Sequence, residues 1–175
     1  MKGTHNSIER FVMFDLINGI PVHPLVVHAI VVLLPLATLG TIAIAVRPSW
    51  RRPYGPLVAG AALVSTVLCP VATSSGEELE QRVGAPGGDH AELGESLVWF
   101  ALALLVASAA LVYLQRQHER RMDADSAAAT STTMLTVVAV VAVVVGLAAG
   151  FQVYRVGDSG AKSAWGDAAG QVAGD

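Results

Sequence analysis

The sequence predicts an all-α membrane protein: four transmembrane helices in an antiparallel bundle, preceded by a short interfacial helix. Three observations carry this. Of 175 residues 53% are hydrophobic and 14% charged, where soluble domains run near 25% charged, and mean hydropathy is +0.55. Residues 25–46 carry no formally charged side chain. That is about 22 residues, and a helix rising 1.5 Å per residue needs about 20 to cross the hydrocarbon of a bilayer. Three further apolar stretches follow, separated by polar segments that are basic, then acidic, then basic.

Taken in order, residues 1–20 form an N-terminal tail and interfacial helix. Ile8, Phe11, Val12 and Asp15 fall at helical spacing within residues 8–18, with Gly19 as the stop. Residues 21–156 form the four-helix transmembrane domain. Pro21 and Pro24 set the entry turn, where a missing N–H loses nothing. The first span is about 24–46, and Pro35 should kink it. Arg47, Arg51 and Arg52, with Trp50 and Tyr54, make an interfacial loop. The second span, 56–72, is rich in Ala, Gly and Ser. An acidic loop, 73–95, contains the turn signal Gly84-Ala-Pro-Gly-Gly88. The third span is about 96–114, and 115–132 is a second basic loop. The fourth span, 133–154, has a β-branched valine run whose length and lack of charge favour a membrane helix over a strand. Residues 157–175, rich in Gly and Ala, read as a flexible C-terminal tail.

Orientation follows from the arginines. The first and third loops carry Arg47, Arg51, Arg52 and Arg116, Arg120, Arg121; the second carries Arg82 against six acidic residues. The positive-inside rule puts the basic loops in the cytoplasm. A multi-pass plasma-membrane protein with both termini extracytoplasmic is expected. The N-terminal stretch is interrupted by charges and lacks a small-residue cleavage site, so the first span is expected to act as an uncleaved insertion signal. A net charge of -3 gives no electrostatic case for nucleic acid. A single cysteine, Cys69, excludes an internal disulfide framework and a cysteine-cluster metal site.

This topology sorts the five histidines. His5, His23, His28 and His90 fall on the outer side and His118, among charged residues, on the inner. His28 is the informative one, about one turn inside the hydrocarbon. A polar group at that depth usually faces the bundle interior or a ligand. The plain alternative is an interhelical hydrogen bond. His23 and His28 are five apart, 140° around a helix, so they cannot chelate one ion from one helical face. They could do so only if Pro24 leaves His23 on a flexible approach. His90 is the natural partner from another helix, sharing a face with Gly94, Leu97 and Ala101. Gly94 leaves room for a flat ring such as porphyrin, or for a neighbouring helix. Depth opposes a haem shared by His28 and His90. His90 precedes Leu97 by seven residues, about 10 Å on an ideal helix. His23, His28, His90 and Glu77 are also candidate ligands for a divalent metal, unless the acidic stretch is simply a solvated loop. Two strings carry less. Gly157-Asp-Ser-Gly160 matches the surroundings of a chymotrypsin-like nucleophile but lacks the β-barrels that position one. Gly146-xxx-Gly150 reads as close helix packing, within the chain or between copies.

With those residues in view, the chain resembles a bacterial membrane family, the domain of unknown function numbered 2231. The resemblance is carried by Gly19-Ile-Pro-Val-His23-Pro24-Leu-Val-Val-His28. It is supported by Thr73-Ser-Ser-Gly76-Glu77, by His90, and by Tyr154-Arg-Val-Gly157, over about residues 18–160. It implies a four-helix membrane protein with histidines on one side, and relatives fused to redox domains, which points towards electron transfer.

The expectation is therefore an integral membrane protein with a histidine-lined outer-face site for haem- or quinone-linked electron transfer. His28, His90, His23 and Gly94 would bind the cofactor, with haem b or a divalent metal as candidates. No complete catalytic set is visible, so no independent catalytic activity is expected. The alternatives are an accessory subunit of a membrane respiratory complex, a homo-oligomer packed on its small-residue faces, or a divalent-metal binding protein.

Overall fold

The computed structural model describes residues 16–17, 20–83, 89–123 and 132–172. Two short strands, β1 (Leu16–Ile17) and β2 (Ile20–Pro21), pair antiparallel with Leu16 opposite Pro21 and Ile17 opposite Ile20. Four helices follow: α1 (Val22–Val46), α2 (Arg51–Val83), α3 (His90–Asp123) and α4 (Thr132–Val172). A 3-10 turn, Pro48–Trp50, joins α1 to α2. Each helix is long and apolar enough to cross a membrane, with mean hydropathy between 1.8 and 2.6 in its best window. Each packs on the next and α4 returns to α1, closing an antiparallel ring in which α1 and α3 also touch across the diagonal.

The core is a stack of aliphatic and small residues. Towards the start of α1 it holds Ile30, Leu34, Ala37, Leu97, Ala101 and Leu104; towards the other end, Ile44, Ala107, Leu111 and Ala142. The periphery is equally apolar: Val32, Leu39, Leu57, Trp99, Val144 and Phe151 are all exposed. A surface this apolar is soluble only in lipid. Small residues set the helix spacing. A Cβ at Gly146 would lie 2.6 Å from Ile42 Cγ1, so α4 meets α1 there; likewise Gly40 meets Val58 and Gly55 meets Val112. The Gly146-xxx-Gly150 stripe thus packs within the chain, Gly150 standing over the Thr38 methyl.

Several boundaries differ from expectation. Of the interfacial helix expected over 8–18, residues 8–15 lie outside the described residues, and Leu16–Ile17 are in β1 instead. The turn signal 84–88 and His5 also lie outside them. The acidic stretch is mostly helix, since α2 continues to Val83 and α3 starts at His90. Similarly α3 carries Arg116, Arg120 and Arg121 on its extension, and α4 runs on to Val172 where a tail was expected. A helix needs low charge only where it meets lipid. Beyond the bilayer the same spiral continues with polar side chains and keeps its backbone bonds.

The end where α1 meets α2 is held by Arg51, which is 5% exposed. Its Nε donates to the Ile44 carbonyl (2.9 Å), Nη2 to the Ala45 carbonyl (3.0 Å) and Nη1 to Gln115 Oε1 (3.3 Å). The last carbonyls of a helix lack intrahelical donors and carry its negative dipole end, so one guanidinium closes α1 and ties it to α3. Outside it, Arg47 stacks over Trp50 at 4.9 Å, and Trp50 meets Tyr54 edge-on at 5.7 Å.

Candidate functional site

At the opposite end, where α1 and α3 begin, a cavity of about 400 Å³ opens between the helices. His23, Val27, Ile30 and Val31 line it from α1, and Cys69, Thr73, Gly76, Glu77 and Glu80 from α2. His90, Gly94, Glu95 and Leu97 contribute from α3, and Val156 from α4. The histidines and carboxylates belong to the outermost turns; Ile30, Leu97 and Cys69 make a buried apolar floor. A Cβ at Gly94 would have nothing within 4 Å, so this glycine widens the cavity and seats no helix.

The two imidazoles are held by the same device. The His23 ring lies on Gly76, whose added Cβ would be 3.0 Å from Cε1; the His90 ring lies on Gly160, at 2.9 Å. His23 Nδ1 is 2.9 Å from the Ala72 carbonyl and 3.3 Å from Ser75 Oγ. His90 Nδ1 is 3.1 Å from Ser159 Oγ, which itself donates to the Val156 carbonyl at 2.9 Å. Each hairpin, α1–α2 and α3–α4, therefore sets the histidine of its first helix on a Ser-Gly pair of its second: Ser75-Gly76 and Ser159-Gly160. In both, Nδ1 is engaged and Nε2 has no protein partner among the described residues. An oxygen hydrogen-bonded to one imidazole nitrogen orients the ring and leaves the other nitrogen for a ligand.

Of the expected site residues, His23, His90, Gly94 and Glu77 come together on this cavity. His28 does not. It is exposed on the outer surface of α1, and its Nδ1 bonds to the carbonyl of Pro24 in its own helix. The reason is the 140° that separates positions 23 and 28 on one helix. Since α1 begins at Val22, His23 and Pro24 sit in its first turn, and the flexible approach that would let His23 and His28 chelate one ion is absent. His28 therefore does not share the cavity that His90 lines. Among the described residues no three His, Cys, Asp or Glu side chains form a group able to hold a metal ion. His118 lies on the far extension of α3, remote from the cavity.

Sequence reasoning missed Ser75, Ser159 and Gly160 as site residues. The signal was the recurrence of a Ser-Gly pair beyond the second and fourth spans. Gly157-Asp-Ser-Gly160 lies within α4, and its Ser159-Gly160 pair carries the His90 ring.

Fold and cavity together define a multi-pass integral membrane protein with a ligand-sized hollow at one end of its bundle. More particularly, the chain belongs to the family described as a predicted membrane protein, DUF2231, whose model matches residues 19–173. No curated protein and no solved structure matches it.

Proposed function

We propose that the protein binds a lipid-soluble redox carrier with a flat ring, such as a quinol, between His23 and His90, and serves electron transfer in the plasma membrane. The observation that carries this reading is the pair of imidazoles from separate hairpins, each tied through Nδ1 and with no Nε2 partner among the described residues, on one cavity. The size suits it, because small-molecule sites run from about 300 to 1,000 Å³. So does the mouth. Val31 lines the cavity and is also 61% exposed on the outside of α1, which opens the hollow sideways towards acyl chains. By the positive-inside rule the arginine-rich end is cytoplasmic, so the cavity faces the extracytoplasmic side along with both termini.

The test is binding of a ring probe, tetramethyl-1,4-benzoquinol, to purified protein in lipid nanodiscs under anaerobic conditions. His23→Ala and His90→Ala should each weaken it about tenfold or more, and His28→Ala should leave it unchanged. Loss in His28→Ala with retention in His23→Ala would remove the assignment.

A second reading has one observation in its favour: an axial haem ligand also donates its other ring N–H to a nearby oxygen, as both histidines can here. In that case His23 and His90, not His28, would hold a b-type haem. A Soret band after haem-sufficient expression, lost in either variant, distinguishes it from the first.

A further inference from the structure

We infer that the cavity selects the reduced, hydroxyl-bearing form of its ring ligand over the oxidised, carbonyl-bearing form. This rests on the reading above that the site takes a redox ring; what it adds is the direction of preference.

A neutral imidazole has one N–H and one lone pair. A carbonyl oxygen only accepts, so the 2.9 Å contact with Ala72 places the His23 proton on Nδ1. Ser75 does not compete, because its hydroxyl donates to the same carbonyl at 3.1 Å. At His90 the Ser159 hydroxyl donates to Val156, leaving its oxygen to accept from Nδ1. A half-turn of either ring would point carbon at these oxygens. Both residues therefore present Nε2 as a lone pair.

The remaining polar lining works the same way. Thr73 donates to the Cys69 carbonyl at 3.3 Å, and Glu77, Glu80 and Glu95 accept when ionised. The one side-chain donor left among these lining groups is the Cys69 thiol, a weak one. A dihydroxybenzene brings two O–H donors to two imidazole acceptors. Its quinone brings two carbonyls to the same lone pairs, so acceptor faces acceptor and neither Nε2 gains a hydrogen bond from the ring. Sites built to hydrogen-bond a hydroxyl reject analogues lacking the donor far more strongly than hydrophobic pockets reject a missing methylene.

The experiment compares dissociation constants of tetramethyl-1,4-benzoquinol and tetramethyl-1,4-benzoquinone by anaerobic calorimetry on the full chain in nanodiscs. Reduced should bind about tenfold tighter or more, raising the midpoint potential of the bound two-electron couple by about 30 mV per tenfold. Ser159→Ala frees the His90 proton to move to Nε2, so the ratio should narrow while quinone still binds; Ser159→Thr keeps the acceptor and should keep the ratio. Imidazole ¹⁵N shifts read the tautomer independently of binding, with Nδ1–H expected in the parent at both rings. Equal affinity, a preference for quinone, an Nε2–H tautomer, or a ratio unmoved by Ser159→Ala overturns the inference and leaves the site reading standing. If neither form binds, both fall.

Discussion

Arg51 concentrates much of the packing at its end of the bundle in one side chain, because one buried cation serves three acceptors. Replacing it with Met keeps much of the apolar stem and removes the guanidinium. Two of the lost bonds end on the Ile44 and Ala45 carbonyls, which have no other side-chain donor among the described residues, and the third ends on Gln115. Bonds to a charged group contribute about 1.5–3 kcal/mol each where desolvated, and a cation at a helix C-terminus adds about 0.3–2 kcal/mol. Water reaches the end of a bundle more readily than its middle, so part of the loss is recovered by hydration. Arg51→Met should therefore cost about 3–4 kcal/mol.

Arg51→Lys separates charge from geometry. An ammonium keeps the dipole interaction but cannot span two successive carbonyls and a glutamine with a rigid fork, so about half the cost should remain. Arg47 and Arg52 preserve the basic loop in both variants, so insertion should be unaffected. The assay is reversible unfolding in mixed micelles with increasing dodecyl sulfate, followed by far-UV dichroism, with Arg51→Met/Gln115→Leu completing a double-mutant cycle. A cost below about 1 kcal/mol for Arg51→Met, or Lys no better than Met, would refute the claim that this fork closes α1.

The other stability predictions use the same measurement. Gly146→Ala puts a methyl 2.6 Å from Ile42 Cγ1 and should cost about 1–3 kcal/mol, whereas Gly60→Ala, with nothing within 4 Å, should be neutral or stabilising by up to about 1 kcal/mol; equal effects would mean the α1–α4 contact is not close. Thr38 Oγ1 is a buried side-chain oxygen without a hydrogen-bond partner among the described residues. Thr38→Val, similar in shape, should stabilise by about 1 kcal/mol, and destabilisation would mean that the hydroxyl is satisfied by a group such as a bound water.

The membrane spans were legible because the cost of charge in hydrocarbon is written directly into composition: no formal charge in 25–46, valine in place of polar residues through 137–145. Helix ends were not, since that cost vanishes at the headgroups, and α2 and α4 therefore ran past their apolar segments without any compositional penalty. The site suffered most from this. Depth suggested His28, on the sound ground that an imidazole in lipid needs a reason. But depth says nothing of azimuth, and it is azimuth that turns position 23 into the cavity and position 28 out of it. His90 lies on the cavity together with Gly76 and Glu77, which an extension of α2 read from the sequence as loop brings up beside it. Ser159 and Gly160 were hidden by a different effect: their role depends on α4 being still a helix there, which a Gly/Ala-rich composition does not announce.

These displacements have one physical origin, and it bears on why the site lies where it does. A cavity bearing two imidazoles and three carboxylates is costly within the hydrocarbon, where each group needs a partner. Beyond it, a loop would solvate them but fix nothing. A bundle whose helices outrun the bilayer offers a third environment, wet enough to tolerate Glu77, Glu80 and Glu95, yet rigid enough to hold a ring against a glycine. The hollow has an apolar floor at Ile30 and Leu97 and carries its carboxylates at the rim, so it grades from apolar to polar along its depth. A ligand with a polar ring and an apolar tail matches that gradient along its own length, whereas a fully hydrated ion matches only the upper half.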